Sequence, residues 1–248
     1  MTARRPELLT YPDADVLARE VAHQLVGHLA DLQRDGKVPS VVLTGGTIAD
    51  KLHRAVVDDP AASDVDWSAV DFWFGDERYV DSDDADRNAG QAHDAMLAHL
   101  PVSPDRVHVM PAADGPYGDD VEAAAAAYAE EVSEAIEDRE DAFDVLMLGV
   151  GPDGHCASLF PGHEAVDADG VAVAVRDSPK PPPVRISLTM PVLSQATEVW
   201  FVASGEGKAE AVRGGYQGED VHVVPAAGPT GRVRTVWFVD EAAASLLP

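Results

Sequence analysis

The sequence predicts a single Rossmann-like α/β domain over residues 1–248, with a mostly parallel sheet and helices on both faces. Short apolar segments alternate along the chain with longer segments in which apolar residues recur at helical spacing. Such alternation of strands with helices is typical of a parallel sheet that is buried on both faces. A chain of 248 residues is also long enough to bury one full core.

The helices are predicted from apolar spacing and from signals at their ends. The first runs from Asp13 to Gly36, since apolar residues recur every three to four positions up to Leu32 and Gly36 ends it. An alanine-rich helix is predicted from Asp119 to Asp138. The other predicted helices cover residues 48–57, 88–99, 190–195, 207–212 and 241–247.

The strands are predicted from short apolar runs bounded by turn residues. The clearest covers residues 144–149, where Val145 to Leu148 have the length and character of a fully buried strand. The other predicted strands cover residues 40–43, 70–74, 107–110, 171–175, 185–188, 198–203 and 235–239.

The charge of the chain excludes two classes of partner. The formal net charge is −26, the sequence pI is about 4.4, and only four of the 18 basic residues are lysine. Because nucleic acids and anionic membranes would be repelled, we expect neither as a partner. An anionic substrate would require local cations that overcome the overall field.

The cysteine content and the N-terminal segment predict a cytoplasmic protein. A single cysteine excludes an intramolecular disulfide and fits a reducing compartment. The N-terminal segment has no apolar stretch of the signal-peptide kind. No Cys/His cluster has the spacing of zinc ligands. The oligomeric state stays open, and we expect a monomer or a weak homo-oligomer.

The segment from Asp144 to Gly162 is the most informative part of the chain. Its predicted strand breaks into a glycine-rich turn that carries Asp153 and His155. Loops at the carboxyl ends of parallel strands are where ligands bind, so His155 is a candidate general base. The alternative is a structural histidine, although a glycine-rich loop buries little. Cys156 follows His155 and is expected to be a small buried hydrophobe.

The same turn contains the Gly-x-Gly-x-x-Gly pattern of a dinucleotide-binding site, at residues 149, 151 and 154. That interpretation requires a helix that begins at the third glycine. Pro161 and Gly162 end any helix there after about one turn. The pattern therefore does not predict a dinucleotide site.

Three further strands also end in loops with polar or charged residues, at 44–47, 75–78 and 204–208. Parallel strands would place these loops and the loop 149–155 at one edge. Gly45, Gly46 and Thr47 form either a phosphate cradle at a helix N-terminus or a plain turn. Arg78 and Lys208 favour an anion site at this edge, because cations are scarce in this chain. These residues suggest a phosphorylated small molecule as substrate.

Asp76, which precedes Glu77 and Arg78, has three possible roles. It could hold Arg78 in place, contact sugar hydroxyls or contribute to the acidic surface. Adjacent carboxylates of an extended or turn segment point in different directions, so a proton shared with Glu77 is not expected.

The chain resembles the 6-phosphogluconolactonase family, within the superfamily that this family shares with glucosamine-6-phosphate deaminase/isomerase. The resemblance runs from Tyr11 to Leu247, and the segment from Gly149 to Gly162 is its most specific part. The segments that also match are residues 43–47, 73–78, 179–189 and 199–212. Two departures are Cys156, where the family usually has threonine, and the residues that follow Gly46.

The resemblance implies hydrolysis of a sugar-phosphate lactone without a metal or cofactor. It implies that His155 activates a water molecule, and that Asp153 either orients the imidazole or caps the turn. Arg78 and Lys208 would hold the phosphate, and Arg185, at the start of a strand, is a further candidate.

Two other functions stay open. One is the deaminase or isomerase reaction on the same fold, although Phe160 occupies the position of the glutamate that assists the deaminase histidine. The other is a sugar-phosphate-binding regulator, but this acidic chain shows no DNA-binding helical segment.

Overall fold

A six-stranded parallel sheet forms the centre of the molecule in the computed structural model, which describes residues 5–137 and 141–247. In chain order the strands are β1 (Glu7–Tyr11), β2 (Ser40–Leu43), β3 (Asp71–Phe74), β4 (Asp76–Arg78), β5 (Val145–Gly149), β6 (Ala172–Val175), β7 (Arg185–Leu188), β8 (Glu198–Ala203) and β9 (Arg234–Asp240). The main sheet has the order β1-β9-β8-β5-β2-β3, and every neighbouring pair is parallel. The predicted fold class is confirmed.

Helices cover both faces of this sheet. They are α1 (Ala14–Arg34), α2 (Thr47–Val57), α3 (Asn88–Ala95), α4 (Val121–Ile136), α5 (Met190–Leu193) and α6 (Ala209–Gln217). Alternate residues of β5 enter two separate cores, with Val145 and Met147 packed on the α1 side and Leu146 and Leu148 on the α4 side. This explains why β5 is apolar throughout. Among the described residues, no helix has the length and apolar character needed to cross a membrane.

A second, three-stranded sheet has the order β4-β7-β6 and is antiparallel. The prediction that Gly75 to Arg78 form a loop is therefore wrong in part, since Asp76 to Arg78 pair with β7. This pairing places Arg78 opposite Arg185. The small sheet thus holds the two arginines side by side near the carboxyl edge of the main sheet.

Other predicted elements differ from the structure at the margins of the fold. The predicted strand 107–110 is reduced to a single bridge between Val107 and Phe72, and Pro111, which has no N–H, follows directly. The predicted helix 241–247 is a series of turns with mostly i to i+3 hydrogen bonds. β1 was not predicted. The predicted end of the alanine-rich helix, Asp138, lies outside the described residues.

Candidate active site

Four neighbouring strands, β8, β5, β2 and β3, carry the four loops predicted to form a site. Because all four strands are parallel, their carboxyl ends share one edge of the sheet. A cavity of about 160 Å³ lies at this edge, and we call it the His155 pocket. Its lining includes Gly45, Gly46, Asp76, Arg78, Arg185 and Lys208 together with His155. The structure therefore brings seven of the nine predicted site residues to one cavity.

Thr47 and Asp153 do not line this pocket. Thr47 is the first residue of α2 and lines an adjoining cavity of about 260 Å³, which shares Gly45, Gly46 and Lys208 with the His155 pocket. Together the two cavities reach the size range of small-molecule sites, which begins at about 300 Å³. Asp153 lies behind His155 and contacts its ring.

Two glycines allow the site loops to pack closely. A Cβ on Gly151 would lie 1.9 Å from Nδ1 of His155, and one on Gly45 would lie 1.9 Å from Oδ1 of Asn88. Both distances are far inside van der Waals contact, so the glycines are required by the side chains that they face. The Gly151 N–H also donates to the carbonyl oxygen of His155 at 2.8 Å, which closes the turn.

The His155 ring is held from two sides. Its Nδ1 lies 2.6 Å from Oδ1 of Asp153, and its ring centroid lies 4.6 Å from that of Phe160. The His155 side chain is 18 % exposed, so its ring is fixed but still reaches the pocket. When Nδ1 donates its hydrogen to Asp153, Nε2 is left free to accept a proton, as a general base requires.

Asp153 is ionised in this arrangement. Partial burial opposes its charge, but His155 and Lys180 outweigh that effect and hold the pKa of the Asp153 carboxyl well below its usual range. The Nζ atom of Lys180 lies 3.0 Å from Oδ1 of Asp153 and 3.1 Å from Nδ1 of His155.

The pocket concentrates positive charge in an otherwise acidic protein. Arg78, Lys180, Arg185 and Lys208 all line it. Burial and the nearby Lys180 lower the pKa of Lys208, while Asp153 opposes this shift. The Nη1 atom of Arg78 donates to the backbone oxygen of Asp86, and its buried Nε has no hydrogen-bond partner among the described residues. Such a set of cations suits an anionic ligand.

Arg185 also has a structural role that was not predicted from the sequence. Its Nε donates to the Pro182 oxygen at 3.1 Å, and its Nη2 donates to the oxygens of Lys180 and Pro181, both at 3.2 Å. Its guanidinium carbon also lies 5.6 Å from the centroid of the Phe160 ring. Arg185 thus fixes the 180–182 loop while it lines the pocket.

The adjacent carboxylates Asp76 and Glu77 are buried, so neither contributes to the acidic surface. Asp76 Oδ2 accepts a hydrogen bond of 2.6 Å from Ser158 Oγ, which joins β4 to the segment that follows His155. The Glu77 carboxylate accepts from the backbone N–H groups of Asn88 and Ala89 at 2.7 and 2.9 Å, and so stabilises the start of α3.

Two residues of the pocket were not identified from the sequence. Lys180 lies in a proline-rich loop and was noted only as part of the matching segment 179–189, and Asn88 was assigned only to the start of a helix. The scarcity of lysine was a usable signal for Lys180, because two of the four lysines of the chain line this one pocket.

A larger groove of about 480 Å³ lies between α1 and α2, and none of the four loops lines it. Two of its cations are paired with carboxylates, Lys51 with Asp15 and Arg54 with Asp50. No glycine is found among the described residues that line it. Chemistry rather than size therefore places the candidate site at the His155 pocket.

Comparison with known proteins gives a consistent result. Residues 12–237 match the model of a family described as glucosamine-6-phosphate isomerases/6-phosphogluconolactonase. The 6-phosphogluconolactonase of Streptomyces coelicolor is 48 % identical over 248 residues, which cover 98 % of this chain and 95 % of the relative. That of Mycobacterium tuberculosis is 44 % identical over 241 residues, or 96 % and 97 % of the two chains.

A solved structure supports the fold. The crystal structure of 6-phosphogluconolactonase from Thermotoga maritima aligns with a TM-score of 0.82, covering 95 % of this chain and 99 % of that one. The sequence identity is 24 %, so this likeness shows the fold alone.

Proposed function

The chain belongs to the glucosamine-6-phosphate isomerase/6-phosphogluconolactonase family, and we propose that it hydrolyses 6-phospho-D-glucono-1,5-lactone to 6-phospho-D-gluconate in the oxidative pentose phosphate pathway. Full-length relatives at 48 % and 44 % identity carry the name of this hydrolase. The observation that carries the mechanism is the His155 ring, held by Asp153 and presented to a pocket lined by cations.

In this mechanism the neutral His155 removes a proton from a water molecule through Nε2. The water oxygen forms a bond to C1 of the lactone, and the carbonyl oxygen becomes an oxyanion. The oxyanion then re-forms the carbonyl group as the bond between C1 and the ring oxygen breaks, and His155 returns the proton to that ring oxygen. A positioned base of this kind is worth about 10²- to 10⁴-fold in rate.

Asp153 orients the base. The 2.6 Å contact fixes the ring and selects the tautomer with the hydrogen on Nδ1. Backbone N–H groups of the glycine-rich loops would stabilise the oxyanion, as fixed dipoles do in other acyl-transfer sites. The lactone is already reactive, so the residues need only place the water and stabilise charge.

Arg78 and Lys208 would bind the phosphate, together with the loop of Gly45, Gly46 and Thr47 at the start of α2. The positive end of the α2 dipole and the backbone N–H groups favour an anion there. Lys208 lines both cavities, which supports a phosphate located where the two meet. Asp76 and Arg185 also line the pocket, and Asp76 would contact sugar hydroxyls.

The environment of His155 favours lactone hydrolysis over deamination. In the deaminase branch a glutamate assists the histidine during ring opening. Phe160 stands at that position here, and its buried ring packs against His155. A phenyl ring cannot relay a proton.

The test compares two substrates with the same purified protein. Freshly generated lactone should disappear faster than its spontaneous hydrolysis at the same pH and salt concentration, while glucosamine 6-phosphate should release no ammonia. Ammonia release without lactone hydrolysis would contradict the proposal. Both assays are run at low and at molar salt, because salt screens the charges of the acidic surface to a different extent at the two concentrations.

A further inference from the structure

The Lys180 ammonium contacts both Asp153 and His155, which also contact each other. Its Nζ lies 3.0 Å from Oδ1 of Asp153 and 3.1 Å from Nδ1 of His155, and those two atoms lie 2.6 Å apart. The ammonium and the His155 ring therefore share one carboxylate oxygen. The role of the base rests on the proposed function, whereas this contact does not depend on the substrate.

We propose that Lys180 is a positioning residue that neutralises the Asp153 carboxylate, so that Asp153 aligns His155 without favouring the imidazolium form. A carboxylate in contact with a histidine favours the imidazolium, and an opposite charge at this distance shifts a pKa by about 1 to 3 units. An imidazolium cannot take a proton from water. The site thus needs the Asp153 carboxylate to orient the His155 ring while the negative charge of that carboxylate is partly neutralised.

Charged groups from several elements contact the His155 ring or line the pocket that it faces. They are Asp153 from its own loop, Lys180 from the loop before β7, Lys208 at the start of α6, Asp76 and Arg78 from β4, and Arg185 from β7. The Lys180 ammonium donates to Oδ1 of Asp153 and lies 3.1 Å from Nδ1, which carries its own hydrogen in the proposed tautomer. Among the cations of the pocket, the removal of Lys180 should therefore have the most direct effect on His155.

The position of Lys180 is fixed by its own loop. The Ser178 hydroxyl donates to the Lys180 oxygen at 3.0 Å, and the Ser178 N–H donates to the Pro183 oxygen at 2.9 Å. The buried Arg185 guanidinium donates to three successive carbonyls of the same loop, beginning with that of Lys180. A loop anchored in this way holds the ammonium against the pair, unlike a lysine on an open surface.

The test is an NMR titration of the His155 ring nitrogens, with no substrate present. The His155 signals are identified as those that are missing from the spectrum of the His155→Gln variant. Lys180→Met should raise the pKa of His155 by about one unit or more. Lys180→Arg keeps the charge and should give a pKa nearer to that of the wild type. Lys37→Met is the control, because Lys37 is exposed and precedes β2 at the opposite edge of the sheet.

A change of less than about 0.3 unit in Lys180→Met would overturn the proposal, as would equal values for the Met and Arg variants. The kinetic companion is the acidic limb of kcat/KM for the lactone, which should move to higher pH in Lys180→Met. A uniform loss of activity at every pH, with the His155 pKa unchanged, would mark a structural role instead. If the wild type does not hydrolyse the lactone, the proposed function fails while the titration still decides the role of Lys180.

Discussion

The hydroxyl of Ser158 and the carboxylate of Asp76 lie 2.6 Å apart and join two segments that are 82 residues apart in the chain. Ser158 follows His155 by three positions, and Asp76 begins β4, the strand that carries Arg78. Both side chains are buried. This hydrogen bond therefore ties the loop of the proposed base to the strand of a proposed phosphate ligand.

Ser158→Ala should lower the free energy of unfolding by about 1–3 kcal/mol, because it leaves a buried carboxylate oxygen without its donor. Urea unfolding measures the change. Ser133→Ala is the matched control, since the exposed Ser133 hydroxyl bonds to a backbone oxygen of its own helix. The control should change by less than about 0.5 kcal/mol. Equal losses in both variants would contradict a special role for the bond to Asp76.

Gly151→Ala should reduce kcat by about 10²-fold or more, because the new Cβ would displace the His155 ring from its place beside Asp153. Steady-state kinetics on the lactone test this. Gly90→Ala in α3 serves as control, since a Cβ there meets nothing within 4 Å, and it should leave kcat unchanged. A Gly151→Ala enzyme of normal kcat would show that the His155 position is not critical.

Arg78→Met should raise KM for the phosphorylated lactone by about 10- to 100-fold, which corresponds to the free energy of one hydrogen bond to a charged group. KM for the unphosphorylated lactone should change little. Arg54→Met provides the control, because Arg54 is exposed and pairs with Asp50 on α2. Equal effects of Arg78→Met on the two lactones would remove Arg78 from the phosphate site.

Buried His53 should make the protein less stable as the pH falls from about 6.5 to about 4. Burial lowers the pKa of His53 to about 4, so in this range the unfolded chain binds a proton that the folded protein does not. Proton binding stabilises the unfolded state relative to the folded state, and the loss of stability reaches about 3 kcal/mol at most. In His53→Leu this part of the pH dependence should disappear from the unfolding curves. His93→Leu, at an exposed position, should retain it, and an unchanged pH dependence in His53→Leu would refute the assignment.

The elements that could be predicted from the sequence are those whose signals are local. α1 has a long amphipathic pattern and the Asp13 cap, whose side chain accepts from Asp15 N and Val16 N. β5 is a continuous apolar run because the sheet is covered on both faces. The turn that follows it placed Asp153 and His155 correctly at the carboxyl edge of the sheet.

The elements that were missed depend on partners far along the chain. β1 is a half-exposed edge strand, and it pairs with β9 more than 220 positions away. β4 has only three residues and exists through its pairing with β7. Lys180 reaches His155 across 25 positions through a loop that Arg185 folds back, so no spacing rule could reveal the contact.

The most direct test of the account is the kcat of His155→Gln for the phosphorylated lactone, measured beside its thermal unfolding temperature. We predict that kcat falls by about 10²- to 10⁴-fold because the base is lost. The unfolding temperature should stay close to that of the wild type, because the His155 ring is partly exposed and contributes little to the buried core. A folded His155→Gln variant that hydrolyses the lactone at the wild-type rate would contradict the central claim that His155 is the base.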